Sequence, residues 1–419
     1  MKIIYIHQYF VTNEGTSGTR SYDVSRYLVG MGHEVTMICG VHDQSSFGRM
    51  PWWRLFRTEW IDGIKVVICN AFYSNKLSFA SRKLSFLKFA LLASLIAIRE
   101  KGGSVVFATS TPLTVGIPGR IAAAWHRLPY VFEVRDLWPE DILAAGRIRP
   151  GLQYRLWEWL ERFCYTTARK ILLVSKGFHD RLLERGFDPR RLETILLGAD
   201  GSLFENVTPD REFFRNHGLD GKIIAVYTGA HGDANGLTQV LDAAEHLRHR
   251  SDVAIVLLGE GKMKAALRED AQRRGLTNVH FFDPVPKHRL PGILAACHIG
   301  LMILKQITRP RWVTPNKIFD YMFAGLPSIV NFAGTTAELV EADGTGVASA
   351  PGSAEDLAAR IAWYADHPEE RAAIGRRAKE TAWRKYDRKM IAKQLARVFE
   401  EACVSEAPRR RSHPQGTGR

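Results

Sequence analysis

Residues 314–331 read TPNKIFDYMFAGLPSIVN, a helix followed at once by a strand. Thr314 suits an N-cap, Pro315 the first helical position, and Gly325 with Pro327 a stop before the apolar run Ser328–Val330. Helix grammar leaves Lys317 unexplained, because a cation in the first turn opposes the helix dipole. An anion held there by unpaired backbone amides accounts for it, and a phosphate is the expected anion. The plain alternative is a solvated lysine on an ordinary helix–strand unit.

Outward from this unit, strand-like runs alternate with helical patterns almost throughout, the mark of parallel sheets covered by helices. Strands are expected at Ile3–Tyr9, Glu34–Cys39, Ile64–Asn70, Ser104–Ser110, Tyr130–Arg135 and Ile171–Val174. The pattern restarts with Ile223–Thr228, Val253–Leu258, Val279–Phe282, Ile299–Leu304 and Ser328–Val330. The junction is placed in Leu196–Lys222, rich in Gly, Asp and Asn. The organisation is thus two doubly wound α/β domains, residues 1–200 and 201–385, with a cleft where strand C-termini face each other. Residues 386–404 read as a closing helix returning to the first domain. The stretch Pro368–Cys403 is expected to break near Trp383–Tyr386, and residues 405–419 read as a disordered basic tail.

The chain has 419 residues, enough for two cores, and is strongly basic at +14. Nucleic acid, an anionic membrane surface or a polyphosphate substrate would each suit that charge. Five scattered cysteines without CxxC spacing argue against a disulfide framework or zinc site and suit a reducing cytosol. A signal peptide is not expected from the first residues.

Four further loops fall at expected strand ends. In HQYFVTNEGTSGTRSYDVSRYL, Gly15 and Gly18 would let backbone amides approach an oxyanion, although a tight turn explains them equally. In VFEVRDLWPEDI, Asp136 ends a strand; Glu140 and Asp141 read as helix-start acids, but Asp136 and Trp138 do not. YTGAHGDANGL and LLGEGKMK join the opening helix in one domain, enough to hold a base, a ribose and a diphosphate. Asp320 shares a helix face with Lys317, so a carboxylate for ribose hydroxyls would stand beside a cation for phosphate. The competing explanation is an intrahelical ion pair.

Together, IIYIHQYF, GTSGTRSYDVSRYLVGMGHEVTMI, VFEVRDLWPE, YTGAHGDANGL, LLGEG and TPNKIFDYMFAGLPSIV resemble a family 4 retaining glycosyltransferase of the GT-B fold over nearly the whole chain. The chain is most similar to the bacterial subgroup that builds O-antigen or exopolysaccharide. The resemblance implies a nucleotide-sugar donor on the C-terminal domain, a glycan or lipid-diphosphate-linked acceptor on the N-terminal one, and no metal or other cofactor. UDP and an N-acetylated amino sugar are the donor parts it favours. Asp320 matches the second acid of the family's E-x7-E motif, but the first falls on Trp312. The family's Arg and Lys after the first C-domain strand are replaced by Ala230 and Asn235.

The site expected from the loops and the resemblance has Asp136 and Lys317 as catalytic residues. Gly18, Gly229, His231, Thr314, Asn316, Lys317, Arg309 and Arg311 surround the diphosphate. Asp320, Glu260 and Val285 meet ribose and base, while Gly15, Arg20, Arg135, Asp136, Trp138 and Glu140 lie on the acceptor side. No protein base is required if the leaving phosphate takes the acceptor's proton, so His7 and His126 are given no role. A GT-B nucleotide-sugar 2-epimerase, active without acceptor, is the alternative enzyme. A salt-sensitive polyanion or membrane binder is the non-enzymatic one. Nucleic acid is not an expected partner.

Residues 74–101, SNKLSFASRKLSFLKFALLASLIAIREK, hold an apolar run too short to span a bilayer. The basic residues Lys76, Arg82, Lys83, Lys88, Arg99 and Lys101 face a single acid, Glu100. A helix buried against the sheet is one reading. The other is an interfacial segment that brings a cytoplasmic protein to the inner face of the cell membrane.

Overall fold

The computed structural model describes residues 1–74, 77–140, 143, 148–306 and 312–404. In the first half the order is β1 (Lys2–Ile6), α1 (Arg20–Gly30), β2 (Glu34–His42), β3 (Phe56–Ile61), β4 (Ile64–Tyr73), α2 (Phe79–Arg99), β5 (Val105–Thr109) and α3 (Gly116–His126). It continues with β6 (Tyr130–Val134), α4 (Leu152–Thr167), β7 (Lys170–Leu173), α5 (Lys176–Glu184) and β8 (Leu192–Thr194). These strands form one sheet in the order β3-β4-β2-β1-β5-β6-β7-β8. All its pairings are parallel except β3 with β4. The central strands are buried along nearly their whole length because helices cover both faces.

Strand β3 is absent from the expectations, although its signal stands in the sequence. Asp62–Gly63 separates FRTEWI from IKVV, and both turn residues take positive φ, 47° and 78°. That is the two-residue hairpin turn that Asp-Gly favours. The expected strand at Ile3–Tyr9 stops at Ile6, where the chain leaves the sheet toward the cleft.

The second half carries α6 (Arg211–Arg215), β9 (Ile223–Thr228), α7 (Thr238–His246), β10 (Val253–Leu258), α8 (Lys264–Arg273), β11 (Val279–Phe282), α9 (Leu290–Ala295) and β12 (Ile299–Met302). Then come α10 (Lys317–Phe323), β13 (Ser328–Val330), α11 (Thr335–Ala342), β14 (Gly346–Ala348), α12 (Ala354–Asp366) and α13 (Pro368–Thr381). Its sheet runs β11-β10-β9-β12-β13-β14, all parallel. Strand order reverses beside β9 in this sheet and beside β1 in the first, where doubly wound sheets open a ligand crevice.

A π-helical turn at Ala382–Tyr386 separates α13 from α14 (Arg388–Cys403), where the sequence places a break. Helix α14 packs back on the first sheet, with Phe399 against Phe107 at 5.0 Å. Its first residue, Arg388, is 1% exposed and ties the halves together. The guanidinium pairs with Asp23, donates to Thr19 Oγ1 at 2.9 Å and to the Gly198 carbonyl at 3.1 Å, and reaches Asn316 Oδ1 at 3.5 Å.

Candidate active site

The opening stretch does make a helix and a strand, but the helix begins later than expected. Its first residue is Lys317, with Asn316 as the flanking residue and no side-chain cap. Two bonds hold the preceding backbone out of helical register: Ser175 Oγ donates to the Trp312 carbonyl and Thr336 Oγ1 to that of Val313. Thr314 is therefore not the cap; its Oγ1 is buried with no hydrogen-bond partner among the described residues. The expected stop holds. Gly325 has φ 73°, and the amides of Gly325 and Leu326 reach back to the carbonyls of Met322 and Tyr321.

Lys317 reaches across to the end of β9. Its Nζ lies 3.6 Å from the centroid of the Tyr227 ring. A Cβ on Gly229, at φ 127°, would sit 3.1 Å from that nitrogen. Among the described residues the ammonium makes no hydrogen bond or ion pair, and its attraction to the ring is a cation–π contact. Burial pulls its pKa down to about 7 against the opposing pull of Asp320. His231 lies beside the same turn, with its side chain buried and both ring nitrogens unpartnered among the described residues. Burial first, then the charge of Lys264, lowers its pKa to about 4, so it is neutral. Lys317 and His231 thus bring unmatched polar atoms to the turn after β9, and Thr314 brings another just ahead of α10.

The proposed intrahelical pair does not form. Asp320 bonds Lys287 Nζ at 2.6 Å instead, and both groups are largely buried. Lys287 also donates its backbone amide to the Gly15 carbonyl at 3.2 Å, so this carboxylate is connected to the first domain. Gly18 faces the same crevice: a Cβ there would approach Asn316 Nδ2 at 3.2 Å. Gly15 does not offer its amide to an anion, because that amide is bonded to the Thr12 carbonyl. The glycine is needed for packing, since a Cβ would lie 2.2 Å from Val11 Cγ1. Glu260 is exposed and 3.7 Å from Lys264, whose ammonium also holds Asp283. Val285 is half-buried in the loop after β11. Arg309 and Arg311 lie outside the described residues, as do Asp141, Lys76 and the tail.

On the first domain Arg20 is the main correction. It is 1% exposed, paired with Glu133 at 2.8 Å, and donates to the carbonyls of Leu196 and Leu197. It braces β6 and the interdomain segment and does not face an acceptor. Arg135 bonds Glu133 at 3.0 Å and Ser21 Oγ at 3.1 Å. Burial pushes the Glu133 carboxyl up, but the two arginines outweigh it and hold its pKa at about 2. His7 belongs to the same buried network, through Ser21, and His126 bonds the Ala97 carbonyl.

Asp136 accepts a hydrogen bond from Thr111 Oγ1; burial raises its pKa, and that bond with the charge of Arg135 opposes the rise. Trp138, which the sequence leaves without a partner, packs edge-on against Trp157 of α4 at 5.3 Å. Glu140 pairs with Arg181 at 3.0 Å. That arginine also lies over the Trp312 ring, whose centroid is 5.5 Å away. A Cβ on Gly177 would lie 2.8 Å from Trp312 Cβ. The residue in the place of the motif's first acid is therefore a wedge against α5, a packing with no local sign in the sequence. Lys287 was missed for a similar reason: its partner is distant in sequence.

The model described as "Glycosyl transferase 4-like domain" matches residues 15–198, and that described as "Glycosyl transferases group 1" matches residues 209–381. The chain belongs to the family 4 glycosyltransferases. WcaI of Escherichia coli, named as a colanic acid biosynthesis glycosyl transferase, is 25% identical over 393 residues, 90% of this chain and 94% of that protein. WbjE of Pseudomonas aeruginosa, named as a glycosyltransferase, is 24% identical over 236 residues. That alignment covers 56% of this chain and 59% of WbjE, so it reaches little more than half of that relative. The crystal structure of HepE from Anabaena, in complex with UDP, superposes with a TM-score of 0.69 at 18% identity, covering 96% of this chain and all of HepE. This glycosyltransferase therefore has the GT-B fold.

Proposed function

We propose that this glycosyltransferase moves a sugar, with retention of configuration, from a UDP-linked donor to a lipid-linked glycan in bacterial cell-surface polysaccharide synthesis. The observation that carries the donor half is Lys317, a cation held on an aromatic ring at a strand end without a counter-ion among the described residues. The diphosphate would lie between Lys317, Thr314, His231 and the turn at Gly229, with Gly18 and Asn316 closing the other side. Arg309 and Arg311 are further candidates for its charge. Asp320, with Lys287, would meet the ribose, and Glu260 and Val285 flank the base. HepE, solved with UDP, supports the choice of nucleotide, and the naming of WcaI supports polysaccharide synthesis. An N-acetylated amino sugar is the proposed donor sugar.

In the reaction the bond from the anomeric carbon to the β-phosphate oxygen breaks, leaving negative charge that Lys317 stabilises. The acceptor hydroxyl attacks the same face, and its proton passes to the departing phosphate oxygen. No metal is required in this scheme. Asp136, fixed by Thr111, would orient the acceptor. The acceptor's lipid would hold the enzyme at the cytoplasmic face of an anionic membrane.

Thermal melting with UDP, GDP, dTDP and ADP tests the donor. A hundredfold excess over Kd stabilises the native state by about 2.7 kcal/mol. Stabilisation by none of the four would overturn the donor reading. Conversion of UDP-sugar without any acceptor would instead favour a 2-epimerase.

A further inference from the structure

We propose that the outer faces of α2, α3 and α4 form one docking surface for an anionic lipid bilayer. This rests on the membrane-surface reading of the enzyme and names the part of the fold that makes the contact. The three helices cover the same face of the first sheet, since Phe89, Ala93, Ala122, Leu160 and Cys164 all enter a single core. They are also fastened to one another: His126 Nε2 on α3 bonds the Ala97 carbonyl of α2 at 3.0 Å, and Gly116 leaves α3 close against Cys164 of α4.

Their opposite faces are apolar. On α2, Leu84, Leu87, Leu91 and Leu95 follow helical spacing and are 66%, 56%, 60% and 52% exposed. Leu152, Leu156 and Trp159 make a matching stripe on α4, at 86%, 62% and 60%, with Trp125 of α3 at 68% in between. Trp60 of β3, 72% exposed, pairs with Lys65, whose ammonium bonds Glu100 at the end of α2. Paired residues share a sheet face, so Trp60 extends the surface past α2.

This concentration is not ordinary surface scatter. Among the described residues between 201 and 385, Trp363 is the sole large hydrophobic side chain so exposed, at 42%. The occupant is identified by charge. Helices α2 and α3 contain no acidic residue, and Lys88, Arg99, Arg155 and Arg162 are exposed around the stripes. On α4, Glu161 is buried against Arg185 and Glu158 is half-buried, so the basic residues outnumber the acids at the exposed positions. Apolar stripes with tryptophans and a basic border match the interface of a bilayer with anionic headgroups. No helix among the described residues is long and apolar enough to cross a membrane. The surface is joined to the acceptor loop, because Trp138, two residues after Asp136, packs on Trp157 of α4.

Flotation of the full chain with vesicles tests the proposal, using phosphatidylcholine alone and phosphatidylcholine with phosphatidylglycerol. Binding is expected to the anionic vesicles only and to weaken as salt rises. Arg155→Gln with Arg162→Gln should weaken it about 25-fold, at about fivefold for each basic residue removed. Leu156→Gln with Trp159→Gln should weaken it at least tenfold, with thermal melting unchanged. Wild-type binding to neither vesicle, or equally to both, would overturn the proposal. So would full binding by both α4 variants, or a loss of binding explained by a change in self-association on light scattering. UDP binding is measured on the same samples: its absence would refute the donor reading and leave the vesicle result to stand by itself.

Discussion

On the proposed reading, Lys317 should make donor binding sensitive to pH, in a direction set by its burial. Free of ligand, its ammonium has a pKa of about 7 against an ordinary 10.5, because burial disfavours the charge. A diphosphate beside it restores the pKa, so donor binding takes up a proton. The sign follows: affinity is greatest below pH 7 and falls as pH rises through 7, until the bound-state pKa is reached. With a bound-state pKa above about 9, affinity at pH 8.5 should be about 30-fold weaker than at pH 6, and about half a proton should be taken up at pH 7. His231, at about 4, does not titrate in this window. The assay is calorimetry with UDP-glucose in buffers of different ionisation enthalpy. A UDP-sugar is the right probe because the terminal phosphate of UDP itself titrates near pH 6. Lys317→Ala should flatten the profile and weaken binding about 10- to 150-fold, as loss of a charge-assisted bond of about 1.5–3 kcal/mol requires. Lys317→Arg should keep the charge and lose the pH dependence. No proton uptake, together with equal affinity of wild type and Lys317→Ala, would refute the assignment. Without ligand the same shift predicts that stability rises with pH between about 7 and 10.5, where the unfolded chain binds the extra proton.

Asp136→Asn should lower turnover strongly at saturating donor while UDP affinity stays within about twofold; weakened UDP binding with normal turnover would put Asp136 on the wrong substrate. Arg388→Ala leaves Asp23 buried without its partner, and urea unfolding should report a loss of about 3–5 kcal/mol. Gly229→Ala places a methyl against Lys317 in a backbone region that L-residues rarely adopt, so UDP affinity should fall and stability drop by about 1–3 kcal/mol. Trp312→Glu should lower the melting temperature without tightening UDP binding, since that position faces α5 and not the donor.

The sequence by itself determined the alternation of strands and helices, the break near Trp383–Tyr386, and the unusual placing of Lys317 at a helix start. These are local facts: apolar runs, turn residues, and a cation placed against its helix dipole, each decided within a few positions of the chain. Hairpin β3 is equally local, marked by Asp62–Gly63. Other features have no local signal. Whether Arg20 faces a substrate or a carboxylate depends on Glu133, which lies 113 residues away. Asp320 meets Lys287 and not its helical neighbour because the loop after β11 folds over it. Trp312 reads as a missing acid until α5 is packed beneath it. Helix α2 reads in sequence as an apolar run among basic residues; only the sheet under it divides its residues into a buried face and an exposed stripe. Tertiary structure decides such cases because a charged or apolar side chain takes the lowest-energy partner within reach, and folding sets which distant residues are within reach.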